Sequence, residues 1–159
     1  MLKKKYLKYA NYRDQTIEDI FTKEQMKGMI SWTGNELRTS VIINQGGGKF
    51  EVRPLPVEAQ FSPVYGILIE DFDKDGAMDI LVAGNFDYSK PEAGSYLGSY
   101  GALFAGDGAL NFKFIPSAVS GLHIDGQVRD CAELKVKNQR NILISRNNNS
   151  VVLLHMNRK

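Results

Sequence analysis

Apolar and polar positions follow a helical period before about residue 37. Thr16 and Thr22 each precede a carboxyl or amide side chain by three positions, which is the spacing of a capping box. Apolar residues after each threonine then fall on one helical face. These residues are Ile17, Ile20, Phe21, Met26, Met29 and Ile30. The pattern predicts a helical N-terminal arm over residues 1–36 with two short helices, the second ending near Ser31.

From Leu37 onward the period becomes that of strands, and turns rich in Gly, Asn and Asp interrupt it repeatedly. The apolar runs 41–43 and 49–52 flank the glycines 46–48, which predicts a hairpin with a glycine-rich turn. A phosphate-binding loop is the functional alternative for these glycines. It is weak, because no GK[ST] follows and the next predicted element is a strand.

The strand region repeats with an offset of 62 residues and no gap. The offset places Gly46 on Gly108, Phe50 on Phe112, Pro54 on Pro116, Val57 on Val119, residues 80–82 on 142–144 and Asn85 on Asn147. Each copy is predicted to contain a hairpin, a connection that carries proline and a second strand pair, which together make a four-stranded unit. Between the copies, residues 85–101 carry Tyr88, Tyr96 and Tyr100 and are predicted to form an exposed loop suited to binding.

The most informative stretch has aspartates at positions 1, 3, 5 and 9 of a loop that turns at Gly76. Alternate side chains of an extended or turning backbone fall on one side, so these carboxylates are expected to converge. Hard oxygen ligands at this spacing suit Ca²⁺, and position 7 is expected to supply a main-chain carbonyl. The predicted ligands are Asp71, Asp73, Asp75, Ala77 and Asp79.

The acidic stretch has two other interpretations. An EF-hand requires a bidentate glutamate at position 12, where this chain has Val82. A solvated acidic turn without metal is the plain alternative, and repulsion between four close carboxylates disfavours it. The repeat replaces the acidic positions with Glu133, Lys135, Lys137, Asn138 and Asn141. Two lysines cannot line a cation site, so the second copy is expected to have lost the metal.

Charge and composition exclude several classes of protein. The 159 residues have a net charge of +2 from 20 basic and 18 acidic residues, which gives no footprint for nucleic acid. No apolar run approaches the roughly 18 residues of a membrane span, and no export signal is visible. Cys131 is expected to be a buried apolar residue, and His123 and His155 are expected to be structural.

The sequence resembles the FG-GAP or VCBS-type repeat proteins, whose relatives include the calcium-bearing propeller blades of integrin α subunits. Three motifs carry the resemblance: Asn44-x-Gly46-x-Gly48-x-Phe50, Asp71-x-Asp73-x-Asp75-Gly76-x-x-Asp79-Ile80-Leu81, and Gly106-Asp107-Gly108 running to Phe112. The resemblance covers about residues 37–150. It implies the C-terminal part of a longer exported repeat protein, located outside the cell, at its surface or in the periplasm.

The predicted fold is mainly β, with two four-stranded antiparallel propeller-like blades at about 37–98 and 99–159 after the helical arm. Two blades cannot close a ring, so edge strands are expected to pair with further blades or with a second copy. The predicted function is non-enzymatic: a calcium-binding β-propeller-type repeat module that binds a protein or glycan partner or completes a larger propeller. The alternatives are a carboxylate-dependent, glycosidase-like hydrolase and a pure structural scaffold.

Overall fold

A computed structural model describes residues 2–137 and 139–156 and divides the chain into two compact units, with the boundary after Leu37. The first unit consists of short helical turns. Its elements are α1 (Leu2–Lys5), a 3-10 turn (Tyr9–Asn11) and α2 (Ile17–Ile20). The main-chain N–H of Thr16 donates to Asp19 Oδ2 at 2.9 Å, so the predicted cap and the short helix after it are confirmed.

The second predicted helix of this unit is wrong. Thr22 and Gln25 do form the predicted cap contacts, at 3.0 and 3.3 Å, but hydrogen-bonded turns follow in place of a helix. Short helices depend on packing of their apolar face, whereas Met29 and Ile30 are 53% and 74% exposed. Gly28, in the left-handed region at φ 84°, ends the turns.

Within the described residues no helix has the length and the apolar character needed to span a membrane.

The second unit is mainly β, as predicted. The strands of its described residues are β1 (Ser40–Gly46), β2 (Lys49–Pro54), β3 (Val64–Glu70), β4 (Asp79–Gly84), β5 (Ala102–Gly106), β6 (Phe112–Ile115), β7 (Val128–Val136), β8 (Gln139–Arg146) and β9 (Val152–His155). A 3-10 turn (Val57–Gln60) follows β2, and α3 (Ser117–Ser120) follows β6. Strands that are hydrogen-bonded to each other within a sheet pair antiparallel. The predicted hairpin of β1 with β2 is confirmed.

The predicted grouping of the strands into two blades of four is wrong. The described strands form sheets of two (β1-β2), four (β3-β4-β5-β6) and three (β7-β8-β9). The four-stranded sheet therefore crosses the predicted boundary at 98/99. The reason lies in the connection between β2 and β3, where Leu55 and Ala59 are buried beneath β4 and β5. Two residues of that connection therefore belong to the core, and β5 pairs with β4.

Strand β4 lies between two hydrophobic clusters, and all six of its residues are buried. Leu81 and Ala83 pack into a cluster with residues of β7 and β8. Ile80 and Val82, on the opposite face, pack with Phe104 and the β2–β3 connection. The acidic loop, defined as residues 71–79, therefore enters a strand that is fixed from both sides.

Candidate metal centre

The acidic loop joins β3 to β4, and the ends of these strands face each other in the register pair Glu70 and Asp79. Antiparallel pairing therefore returns the ninth loop position to the neighbourhood of the first. Gly76 lies in the left-handed region at φ 93°, which confirms the predicted turn, and Lys74 shares this region at φ 66°. The loop is not an EF-hand, because Val82 is 3% exposed within β4 rather than a ligand.

Three of the four predicted carboxylates come together. Asp71, Asp73 and Asp79 each have a carboxylate oxygen within 4.8 Å of the other two. Asp73 is exposed, Asp71 is half-buried and Asp79 is 2% exposed. Carboxylate oxygens from several positions of one flexible loop are the ligands that Ca²⁺ prefers.

Main-chain N–H groups hold two of these carboxylates in the turn. Gly76 N–H donates to Asp71 Oδ2 at 3.1 Å, and Asp75 N–H donates to Asp73 Oδ1 at 3.1 Å. Aspartate readily bonds the main chain a few residues ahead, which favours a tight loop. The carboxylates of the acidic loop therefore also stabilise the turn of its main chain.

Asp79 is held from two directions. Its Oδ2 accepts the Phe72 N–H and its Oδ1 accepts the Gly106 N–H, each at 2.9 Å. Gly106 ends β5, so the carboxylate fastens the acidic loop to a third strand. A Cβ at residue 106 would lie 2.1 Å from the Met78 carbonyl oxygen, and this close approach requires glycine.

One buried carboxylate oxygen, Asp71 Oδ1, has no hydrogen-bond partner among residues 2–137 and 139–156. Asp71 Oδ1 is buried, whereas Asp71 Oδ2 accepts the bond from Gly76. A buried acceptor without a donor costs about 1–3 kcal/mol, and more when it is charged. A cation between Asp71, Asp73 and Asp79 would remove this cost, so the donor set fits a hard divalent ion.

Asp75 and Ala77 are bonded to each other within the acidic loop. Asp75 is exposed and outside the group of three carboxylates, and its Oδ1 accepts the Ala77 N–H at 2.7 Å. Calcium takes about 6–8 oxygen ligands, more than three monodentate carboxylates provide. Asp75 and the Ala77 carbonyl therefore stay predicted ligands.

The second copy replaces the loop with a short turn. Strand β7 runs to Val136 and β8 begins at Gln139, so Glu133 and Lys135 lie in a strand. Asn138 lies outside the described residues. Glu133 is paired with Arg140, whose Nη2 also contacts Glu70 Oε2 at 2.8 Å. These two carboxylates hold the pKa of Arg140 above its ordinary value.

Asn141 occupies the position of Asp79 in the repeat and bonds differently. It is 2% exposed, and its Nδ2 donates to the carbonyls of Leu134 and Gln139, each at 3.3 Å. Its Oδ1 lies 2.6 Å from His155 Nδ1. The position keeps its burial and exchanges a carboxylate for an amide that is satisfied within the sheet.

The sequence alone does not identify Gly106 as a residue that holds an aspartate of the candidate metal centre. This glycine donates to Asp79 across 27 positions of the chain. The local sequence marks residues 106–108 as a turn but carries no signal for a bond to the acidic loop. Only the pairing of β5 with β4 brings the two together.

Comparison with known proteins adds no relative: no family model, no curated protein and no solved structure matches the chain. The resemblance to FG-GAP or VCBS-type repeats therefore rests on the motifs of the sequence.

Proposed function

We propose that the chain is a non-enzymatic, calcium-stabilised β-repeat module of the FG-GAP or VCBS kind that binds a protein or glycan partner. The observation that carries this proposal is the convergence of Asp71, Asp73 and Asp79, together with a buried Asp71 oxygen that has no hydrogen-bond partner among the described residues. An acidic turn that only faced solvent would leave such an oxygen to water.

The proposed role of calcium is structural. The ion would be held by Asp71, Asp73 and Asp79, with Asp75 and the Ala77 carbonyl as the further predicted ligands. It would neutralise the loop and tie the end of β3 to β4. Because the carboxylates gather only when the loop folds, the free energy of binding adds to the free energy of folding.

An exported or surface location agrees with this kind of site. Calcium modules that work outside cells bind the ion with dissociation constants of about 10⁻⁴ to 10⁻³ M, where the ion is abundant. A loop with one exposed carboxylate, Asp73, and one half-buried carboxylate, Asp71, belongs with such modest sites rather than with enclosed cages.

Thermal melting with calcium and with chelator tests the proposal. Saturating calcium at about 100 times the dissociation constant is expected to stabilise the folded chain by about 2.7 kcal/mol. Asp73→Ala is expected to abolish this gain while leaving a folded protein, because Asp73 is exposed. Equal melting temperatures with and without calcium, in protein shown to be metal-free, would remove the structural role of the ion.

Asp107→Ala is the matched control. Asp107 is an exposed aspartate in the β5–β6 turn, and its Oδ1 accepts the N–H groups of Ala109 and Asn111 at 2.8 and 3.0 Å. The variant loses turn contacts of the same kind but leaves the acidic loop intact. Its response to calcium is therefore expected to match that of the unmodified chain.

The same variants separate the module from a hydrolase. A retaining glycosidase needs a pair of catalytic carboxylates about 5 Å apart, and the acidic loop brings three carboxylates together. In a hydrolase, Asp73→Ala would lose turnover of a glycoside and keep its melting temperature. In a calcium module, it loses the calcium-dependent part of its stability.

A further inference from the structure

A pocket of about 390 Å³ lies away from the acidic loop, where three segments of the second unit meet. These segments are the β4–β5 connection, residues 125–127 before β7, and the turn after β8 at residues 147–149. We call it the junction pocket. Its volume is within the range of about 300–1,000 Å³ that is usual for small-molecule sites.

Asn85 is a buried polar residue of the junction pocket lining. It is 3% exposed, and its Nδ2 donates to the carbonyls of Ser99 and Gly126 at 2.7 and 3.1 Å. Its Oδ1 accepts the Ser62 hydroxyl and the Ser99 N–H at 2.6 and 3.2 Å. One buried amide with all its bonds made thus joins segments that lie 14 to 41 positions apart.

Gln127 is a second buried polar residue of the lining, and it also joins separate segments by hydrogen bonds. It is 7% exposed, and its Oε1 accepts from Asp87 N–H and Arg129 Nη2, each at 3.2 Å. Its carbonyl accepts the Asn147 N–H at 2.8 Å. The main chain around the pocket is therefore positioned before any ligand arrives, which lowers the entropic cost of binding.

Two tyrosines line the junction pocket and remain open to solvent. Tyr88 is 63% exposed, and its hydroxyl accepts from Asn148 Nδ2 at 3.0 Å. Tyr100 is 55% exposed and stacks on His123 with centroids 4.6 Å apart. Aromatic rings held by such contacts offer apolar area at low entropic cost.

The polar part of the lining selects by charge. Asp87 contributes a carboxylate that has no ion pair among the described residues, Asn147–149 contribute amides, and the Asp125 carboxylate is paired with Arg146. The unpaired Asp87 carboxylate disfavours an anionic ligand. Neither carboxylate belongs to the described cluster with metal-ligand spacing, which is in the acidic loop.

We propose that the junction pocket binds a neutral saccharide. Sugar hydroxyls donate to carboxylates and accept from amides, and the C–H face of a pyranose ring packs on tyrosine. The inference rests on the partner-binding part of the proposed function and narrows it to a glycan. It does not depend on the calcium loop, because no lining residue lies within positions 71–79.

The test is an NMR titration of the full chain, labelled with ¹⁵N and saturated with calcium. Changes in amide chemical shift report the binding. The probes are the methyl glycosides of glucose, galactose, mannose and N-acetylglucosamine, each up to about 50 mM, with glucuronate as the anionic comparison. We expect at least one neutral glycoside to cause saturable shifts at Asp87, Tyr88 and residues 147–149. Glucuronate is expected to bind more weakly.

Tyr88→Ala is expected to weaken that binding about tenfold, and Tyr100→Ala repeats the test if Tyr88→Ala does not fold. Tyr96→Ala is the matched control: Tyr96 is 48% exposed in the same β4–β5 connection but outside the lining. Its dissociation constant is expected to stay within about twofold of the unmodified chain.

The inference is overturned if no neutral glycoside causes saturable shifts, if the shifts map elsewhere, if glucuronate binds most tightly, or if Tyr96→Ala weakens binding as much as Tyr88→Ala. A chain that binds the glycoside but melts alike with and without calcium contradicts only the calcium part of the proposed function. A chain that gains stability from calcium but binds no glycoside contradicts only the junction pocket.

Discussion

At the scale of single residues, buried polar side chains hold the second unit together where its segments meet. Asp79, Asn85, Gln127 and Asn141 are buried, and each has hydrogen-bond partners outside its own strand or turn. A buried polar group is costly when it loses its partners. Substitution at these positions therefore tests the fold more sharply than substitution of the exposed carboxylates.

Asn85→Ala is predicted to lower the free energy of unfolding by about 2 to 4 kcal/mol, because it leaves buried donors and acceptors without partners. Its positive φ of 81° adds to the cost. The control is Asn44→Ala. Asn44 is exposed, and the observed bond of its side chain is from the Gly46 N–H to Asn44 Oδ1, at 2.9 Å. For Asn44→Ala we expect the free energy of unfolding to fall by less than about 1 kcal/mol. Urea denaturation measures both, and equal losses would contradict the role of Asn85.

Cys131 gives a pH-dependent prediction. Burial, with a smaller effect from the Asp130 carboxylate, raises the pKa of its thiol from 9.0 to about 11. The unfolded thiol therefore ionises first, and its contribution to stability, complete below about pH 9, is lost as the pH rises to about 11.

The measurement is the difference in unfolding free energy between the unmodified chain and Cys131→Ala as a function of pH. Other groups that titrate in this range cancel in that difference. We expect a constant difference below pH 9 and a decrease between pH 9 and about 11. A difference that stays constant through this range would show that the thiol ionises equally in both states.

At the scale of elements, the contact between β3 and β7 depends on the absence of a side chain at Gly66. A Cβ there would lie 2.7 Å from Cys131 Sγ and 3.1 Å from Val128 Cγ1. Glycine usually weakens a strand, so its presence in β3 is explained by this close approach. The two sheets pack at a distance that only glycine permits.

Gly66→Ala is predicted to lower the free energy of unfolding by about 1–3 kcal/mol through overpacking. Cys131→Ala in the same chain is expected to recover part of the loss, because it removes the nearest atom. Chemical denaturation of both single variants and the double variant gives the coupling energy. Strictly additive losses would mean that the two positions do not meet.

At the scale of the whole molecule, apolar side chains remain exposed on β3. Tyr65, Ile67 and Ile69 are 45%, 53% and 57% exposed and alternate with Gly66 and Leu68, which face the other sheet. Strand β3 is also the edge of its sheet. An exposed apolar edge strand is a template for pairing with another chain.

We therefore predict that a second copy of the chain pairs along β3. Sedimentation velocity is expected to show association that grows between about 1 and 100 μM, and Ile67→Lys is expected to abolish it. Val119→Lys is the control, because Val119 is 76% exposed in α3, away from β3. A monomer over the whole range, or equal effects of both lysines, would contradict the prediction.

Features that depend on neighbours along the chain follow from the amino-acid sequence alone. The turn at Gly76, the cap at Thr16, the hairpin of β1 with β2 and the positions of the strands follow from local periodicity and backbone preference. The predicted convergence holds for Asp71, Asp73 and Asp79, whereas Asp75, at the same alternate spacing, lies outside the group. The pairing of β3 with β4 returns Asp79 to the start of the loop.

Tertiary packing sets which strands share a sheet, which atoms complete the site and where a second pocket forms. Residues Leu55 and Ala59 enter the core, so β5 rather than β2 joins the sheet of β4. Gly106 reaches Asp79 across 27 positions, and Asn148 reaches Tyr88 across 60. Such contacts depend on how apolar faces pack after the chain has closed long loops, and the local pattern of residues does not encode that choice.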